Sequence, residues 1–422
     1  MYLVDLFAGC GGLSWGLKKA GFEPILANEL DKNASITYKK NLGEHFLIEG
    51  DLGQILRDGS FRKKLFSVLD KKDTSTVDLV TGGPPCQGYS QAGRRKSKET
   101  FFKYYEDNLL YEEMIKAIEI VKPRAFLLEN VLGLLSAKWN TGDPEGTVFM
   151  SLWNAFLDRL SDNYIIKPHL LKSSDYGVPQ KRVRFFLIGL KENEYARKNR
   201  IYHTYQEFKF YGTPKITHPS DVLKMKSGFF PFRRSRPIKA PDPIHVISDL
   251  DFEEWSPDDP YHKKPPTSKF QRQMREVVDR ENLPVWNHDK SKHSQKAIER
   301  FKLIQKGVKV AELPPHLSSE KITQRFLREK WENGPNITIT SMPDDLIHYR
   351  VPRILSVREC ARFQTFPDHF VFEGVRTIGG KQRSGDPEND IERVIPQYSQ
   401  VANAVPPLLA KILGKRIKHL LE

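Results

Sequence analysis

Tyr2-Leu3-Val4-Asp5-Leu6-Phe7-Ala8-Gly9-Cys10-Gly11-Gly12 decides how the rest of this chain is read. An apolar strand runs into a glycine-rich turn, and an amphipathic stretch from Leu13 to Ala20 follows. Glycines let a ligand approach the backbone, and a helix N-terminus favours negative charge. The spacing, Gly-x-Gly-Gly and then Gly16, departs from the dinucleotide fingerprint Gly-x-Gly-x-x-Gly. A second strand, Pro24 to Asn28, ends at Glu29, placed to take ribose hydroxyls, and Asp51 is expected to end a third and to accept from an adenine amino group. The set fits an adenosine-containing cofactor and by itself does not separate NAD from S-adenosylmethionine. For Glu29 and Asp51 taken singly, a charge at a helix N-terminus is the plain structural alternative.

Outward from this turn, strand and helix signals alternate over the first 190 residues. Strands are expected at Val77–Val80, Ala125–Leu128, Tyr164–Leu171 and Val183–Leu190, with helices at Lys32–Asn41, Asn108–Val121 and Val148–Leu160. That order predicts an α/β fold with a doubly wound, mostly parallel sheet, whose ligands sit beyond the carboxyl ends of the strands. The strand at Val77–Val80 leads into Thr81-Gly82-Gly83-Pro84-Pro85-Cys86-Gln87-Gly88-Tyr89-Ser90. Two prolines fix the backbone there and stop the sheet, so the loop presents a lone thiol. A buried packing cysteine is the alternative. Glu129-Asn130 follows another buried strand and supplies a carboxylate suited to general acid work or to capping. Gln180-Lys181-Arg182-Val183-Arg184 puts two arginines on one face at period two, suited to a phosphate or a carbonyl oxygen, or simply to an exposed strand face.

The chain has 422 residues, a formal net charge of +14 and three cysteines, Cys10, Cys86 and Cys360. Its length predicts two domains, and its charge predicts a polyanionic partner. The sparse cysteines, without a Cys-x-x-Cys, suit a reducing compartment and exclude a disulfide framework. No signal peptide is expected at the start, and no apolar run approaches the ~20 residues of a membrane span. Residues 191–345 differ in texture and hold 29 Lys and Arg against 22 Asp and Glu, with a basic cluster at Phe232-Arg233-Arg234-Ser235-Arg236 and an acidic stretch from Asp249 to Asp259. Periodicity returns after Arg353. Ser356 and Glu359 form a capping-box signature, and the helix expected over Pro406–Leu421 carries an apolar stripe of Leu408, Leu409, Ile412 and Ile417 that needs a partner face. His288 and His293 flank Asp289, but they fall short of the three or four ligands zinc needs, so a polar DNA-facing loop or a plain surface turn is expected and no metal. Cys10 and Cys360 are expected to pack, and the polar stretch Gly374–Asp390 reads as an insert without an assigned role.

In order, Asp5–Gly12, Pro84-Pro85-Cys86, Glu129-Asn130-Val131, Gln180-x-Arg182-x-Arg184, Arg358-Glu359-Cys360-Ala361-Arg362 and Asn403-Ala404-Val405-Pro406 resemble the DNA (cytosine-5)-methyltransferase family. The resemblance covers residues 1–190 and about 350–420. It implies a catalytic and cofactor-binding domain at 1–190, a target-recognition domain at 191–345 and a segment at 346–422 that returns to the first domain. It implies Cys86 as nucleophile, Glu129 at N3 and the exocyclic amine of cytosine, and Arg184, aided by Arg182, at O2 and a phosphate. Phe7, Ala8, Gly9, Gly11, Gly12, Glu29, Asp51, Pro85, Asn403 and Val405 would line the S-adenosylmethionine pocket. Gln87, Ser90, Gln180 and Arg182 would meet double-stranded DNA. The resemblance further implies a monomeric bacterial enzyme of the cytoplasm and nucleoid, of the kind paired with a restriction endonuclease that reads the same site. A tRNA methyltransferase, an inactive DNA-binding module and an NAD dehydrogenase are the competing readings. Intact Cys86, Glu129 and Arg184 speak against the module, and the dehydrogenase accounts for neither the Pro-Cys loop nor the basic excess.

Overall fold

The computed structural model describes residues 1–44, 47–85, 109–138, 146–193, 213–225, 228–231, 238–251, 255–276, 284–318, 324–377 and 394–422. Cys86, Gln87, Ser90 and the basic cluster Phe232–Arg236 lie outside the described residues.

Seven strands form the central sheet: β1 (Tyr2–Leu6), β2 (Glu23–Glu29), β3 (Leu47–Glu49), β4 (Leu79–Gly82), β5 (Ala125–Val131), β6 (Tyr164–Lys172) and β7 (Val183–Lys191). Their spatial order is β3-β2-β1-β4-β5-β7-β6. The first five pair in parallel, while β7 runs antiparallel to both β5 and β6. This is the mostly parallel, doubly wound sheet expected from the alternation. Its order reverses between β1 and β4, which stay paired to their ends at Leu6 and Gly82; the helices that follow cover opposite faces, and beyond such carboxyl ends these sheets form a crevice.

Successive residues feed opposite faces of the sheet, as a period of two requires. Val4, Val80, Phe126 and Leu128 point into one apolar cluster, and Leu3, Leu79, Ala125 and Leu127 into the other. Strands buried on both sides read as continuous apolar runs, which is why they were conspicuous in the sequence. The first face is covered by α3 (Leu52–Arg57), α4 (Ser60–Lys71), α5 (Leu110–Val121) and α6 (Val148–Leu160). α1 (Gly12–Lys18) and the C-terminal helix Pro407–Leu421 cover the second, and α2 (Lys32–Leu42) packs beside them on Ala27 and Ala8.

The partner face that the last helix needs is α1. A Cβ on Gly16 would stand 2.3 Å from the Pro407 carbonyl oxygen, and one on Gly414 would stand 2.7 Å from Ala20 Cβ. The two helices touch backbone to backbone because these positions are glycine. Leu409, Leu413 and Ile417 are fully buried against the sheet, whereas Leu408 and Ile412 are half-buried at the border.

A separate apolar cluster joins Val246, Ile247 and Leu250 to Ile337, Ile339, Phe363, Phe366, Phe370 and Val401. The helix Val357–Phe363 therefore packs with residues from the second region, and the chain rejoins the sheet face only around Val405. The capping box at Ser356 and Glu359 is formed as the sequence predicts. Beyond it, Arg362 donates to Asp249 and to Asp368 at 2.6 Å, Arg275 donates to Asp249 at 2.6 Å, and His262 bonds Asp368 at 2.9 Å. Arg362 and Asp368 are entirely buried, and Asp249 nearly so. The acidic stretch beginning at Asp249 thus starts in the interior.

Candidate active site

The crevice at the strand-order reversal is lined by the turn after β1, the ends of β2 and β4, and β5. After β1 the chain passes through three left-handed residues, Phe7 (φ 52°), Gly9 (φ 55°) and Gly11 (φ 90°). Phe7 pays a steric penalty there that glycine does not. The turn is held by Ala8 N–H donating to Asn28 O at 2.9 Å and Gly11 N–H to Ala8 O at 3.0 Å. No described heavy atom lies within 4 Å of where a Cβ on Gly9 would stand, so the turn faces open space. Gly12 is closed off instead: a Cβ there would meet Val405 O at 2.7 Å. Val405 therefore lies against the turn, and Asn403 stands exposed two residues before it.

Glu29 ends β2 nearly buried and accepts from Gly9 N–H at 2.7 Å and Asp31 N–H at 2.8 Å. Burial raises its pKa against those two hydrogen bonds. Its carboxylate braces the glycine turn while it stands at the rim of the open space. The next residue, Leu30, leaves 67% of its surface exposed at the same strand end, a candidate apolar face that sequence reading passed over. Asp51 is placed differently from expectation. β3 stops at Glu49, and Asp51 is the exposed N-cap of α3, accepting from Gln54 N–H at 2.8 Å. The capping alternative is realised, because a short polar side chain before a helix satisfies a free backbone donor.

Behind the turn lies a polar contact the sequence did not signal. Asp5 on β1 is buried, accepts from the Ser14 hydroxyl at 2.5 Å, and Ser14 meets the Tyr38 hydroxyl at 3.1 Å. Burial first, and then the neighbouring Glu29 charge, push the Asp5 pKa up from 3.8 to about 7. The folded protein therefore holds this proton more tightly than the unfolded chain. Stability from this residue is greatest below pH 4 and declines as the pH rises to about 7. Urea denaturation across that window is expected to show Asp5→Asn gaining on the native protein as pH rises and levelling above 7; a gap independent of pH would contradict it.

On the opposite wall, Gly83 and Pro84 follow β4. A Cβ on Gly83 would come 3.3 Å from Glu129 Oε2, and Asn130 Nδ2 donates to Pro84 O at 3.3 Å. The base of the Pro-Cys loop is therefore fastened to the Glu129-Asn130 pair, with Pro85 exposed beyond it. Glu129 lies within β5 rather than at its end, and Arg184 Nε approaches its Oε1 at 3.2 Å. Burial raises the Glu129 pKa, and the Arg184 and Arg182 charges offset only part of that. A carboxyl group whose pKa is raised in this way is better suited to donate a proton when charge develops nearby.

Arg182 and Gln180 are turned to other parts of the chain. Arg182 is buried and donates to Ala402 O at 2.7 Å and Asn403 O at 3.2 Å. Gln180 is fully buried, bonded to Phe363 O at 2.9 Å and Gln364 Oε1 at 2.7 Å. The expected DNA contact at Gln180 thus meets a side chain enclosed in the protein, and Arg182 holds the backbone beside Asn403.

The remaining candidates are structural. Cys10 is buried with its thiol toward Gln400 O, and burial pushes its pKa up to about 12. Cys360 is buried likewise. His288 is no surface turn: it is fully buried between the Ser356 hydroxyl at 2.9 Å and Leu250 O at 2.7 Å. No group of three or more potential metal ligands occurs among the described residues. No helix among them is long and apolar enough to cross a membrane. The stems of the Gly374–Asp390 insert are tied down by Gln397 N–H donating to Val375 O and Ile395 N–H to Asp31; residues 378–393 lie outside the described residues.

Comparison with known proteins agrees with this geometry. The family model for C-5 cytosine-specific DNA methylases matches residues 1–419. The Type II methyltransferase M.DdeI of Desulfomicrobium norvegicum is 30% identical over 440 residues, covering 100% of this chain and 89% of that protein. The Type II methyltransferase M1.HphI of Haemophilus parahaemolyticus is 27% identical over 414 residues, covering 98% and 86%. Among solved structures, a prophage-encoded protein from E. coli shares the fold with a TM-score of 0.62 at 23% identity, covering 100% of this chain and 99% of that one.

Proposed function

Because the chain belongs to the C-5 cytosine-specific DNA methylase family, we propose that it methylates C5 of a cytosine flipped out of a specific double-stranded DNA site, with S-adenosylmethionine as donor and Cys86 as nucleophile. The observation that carries the reading is the buried Glu129 beside Arg184, its pKa raised by burial, with the Gly83-Pro84 base of the Pro-Cys loop packed on Glu129 and Asn130.

C5 of cytosine is a poor nucleophile. Addition of the Cys86 thiolate to C6 makes the ring an enamine with electron density at C5, and the negative charge so created spreads to N3 and O2. Glu129 donates its proton at N3, and Arg184 stabilises charge at O2. Once the methyl group is bonded to C5, with S-adenosylhomocysteine as the leaving group, loss of the C5 proton to a base, return of the N3 proton to Glu129 and expulsion of the thiolate would restore the aromatic ring. The open space at Gly9, the Glu29 carboxylate at its rim, exposed Leu30 and the backbone at Asn403–Val405 would hold the donor. S-adenosylmethionine supplies an electrophilic methyl group when bound. Asp51, exposed at its helix start, keeps acceptor capacity for the adenine amine. Charge of +14 suits a DNA partner, and the Type II relatives suggest a companion endonuclease in a bacterial cytoplasm.

The test is transfer of labelled methyl groups to matched DNA and RNA, followed by bisulfite sequencing of DNA from cells expressing the protein. Label in cytosine at one recurring DNA context is expected; label in RNA alone would overturn the substrate. Glu129→Gln retains the shape and loses the proton. Its kcat on DNA is expected to fall roughly 10²–10⁴-fold, with donor affinity nearly unchanged. A kcat within a few fold of the native enzyme would remove Glu129 from the mechanism.

A further inference from the structure

Two glutamines, enclosed where three parts of the chain meet, have no part in the chemistry above. Gln180 Oε1 accepts from Ile339 N–H at 3.2 Å, and its Nε2 donates to Phe363 O at 2.9 Å and Gln364 Oε1 at 2.7 Å. Gln364 Nε2 turns the other way, to Val401 O at 2.6 Å and Ala404 O at 3.2 Å. Arg182 takes the two carbonyls between, those of Ala402 and Asn403. Both glutamine side chains are fully buried. The backbone of Val401–Ala404, which carries exposed Asn403 and leads into Val405 at the glycine turn, is thus held by side chains along its length. The contact to residues 337–339 is doubled by the backbone, since Lys181 N–H donates to Ile337 O at 2.6 Å and the Thr338 hydroxyl donates to Lys181 O at 2.5 Å. Two residues after Arg182 the same segment delivers Arg184 to Glu129.

We propose that Gln180 and Gln364 are positioning residues that couple DNA engagement by the 191–345 region to donor binding at the glycine turn. The proposal rests on the functional reading above for what the two ligands are. Its physical basis is that an amide donates and accepts at once. The Gln180–Gln364 pair therefore passes a fixed hydrogen-bond direction from the Ile339 amide to the Val401 and Ala404 carbonyls. A carboxylate or an apolar chain of equal size breaks that direction. If DNA shifts residues 337–339, the carbonyls beside Asn403 must follow or lose their partners, at the full cost of a buried unpaired group. Coupling of this kind is reciprocal.

The test measures S-adenosylhomocysteine affinity by calorimetry with and without a duplex selected from a random-sequence pool by binding to this protein. For the native protein the duplex is expected to tighten S-adenosylhomocysteine about 10-fold. In Gln180→Met and Gln364→Met that factor is expected to fall to within twofold of one, while duplex affinity without S-adenosylhomocysteine changes less than threefold and melting stays cooperative. Folded variants that keep the native factor overturn the proposal. Hydrogen exchange on the native protein gives a readout free of folding defects. S-adenosylhomocysteine alone is expected to slow exchange of the Ile339 amide, and an Ile339 amide indifferent to it also counts against coupling. Methyl transfer to DNA with a native factor of one sinks this proposal alone, whereas strong coupling without methyl transfer sinks the functional reading alone.

Discussion

Cys86→Ser is expected to lower methyl transfer by ~10⁴-fold or more and to abolish covalent trapping on DNA carrying 5-fluorocytosine. The argument is chemical. Thiolate is the attacking form, and a serine hydroxyl ionises far less readily than a thiol. In 5-fluorocytosine the C5 hydrogen is replaced, so the adduct to C6 cannot be released by loss of a proton. A band of protein joined to DNA should form with the native enzyme and S-adenosylmethionine and disappear with the serine variant. S-adenosylhomocysteine affinity should be retained, because the glycine turn and Glu29 are untouched. Transfer within tenfold of native by Cys86→Ser would mean that the addition step does not pass through this residue.

The second large effect concerns stability. Arg362 stands with no exposure between Asp249 and Asp368, and its removal leaves two buried carboxylates with Arg275 and His262 as their charged partners among the described residues. Breaking a buried pair from one side costs ~3–5 kcal/mol. Arg362→Ala is expected to lose about that much in urea denaturation, enough to threaten a domain of ordinary stability. Arg362→Lys should recover only part, since an ammonium cannot fork to two carboxylates. The pH dependence fixes the sign. Although burial opposes ionisation, the Arg362 charge and hydrogen bonds hold the Asp368 pKa far below 3.8. The pair's stabilisation is thus present above the ordinary carboxylate range and lost only as pH falls through that depressed value. The deficit of Arg362→Ala should be full at pH 7 and shrink on acidification. A loss below ~1 kcal/mol at neutral pH would put the pair in the class of exposed bridges.

What the sequence revealed and concealed divides along one physical line. Strands β1, β2 and β5 to β7 were legible because burial on both faces writes an unbroken apolar run, and Glu29 was legible as the residue closing such a run. Helices with caps, such as the one Ser356 opens, were legible from local chemistry. Asp51 was misplaced by the shortness of β3, whose three residues give no period to count. The enclosure of Gln180, Arg182 and His288 went unread for a different cause. Their partners are Gln364, Ala402 and Ser356, some 70 to 220 residues away in the chain. Nothing local says that a polar side chain will be enclosed by so distant a segment. The Arg358–Arg362 motif announced its family but not its task, which is to anchor Asp249, Asp368 and the carbonyls of Trp286 and Pro367.

The meeting of Gly12 with the Val405 carbonyl has a consequence for biosynthesis. At ~5–20 residues per second, a ribosome needs roughly 20 to 80 s to travel from one of these residues to the other. Until then the nascent N-terminal strands lack both the helix that covers their second face and the backbone that closes the donor side of the crevice. The growing chain passes through that interval with an exposed apolar sheet face, a form chaperones would be expected to recognise. Methylating capacity would then appear abruptly once residues 405–421 have emerged, not by degrees.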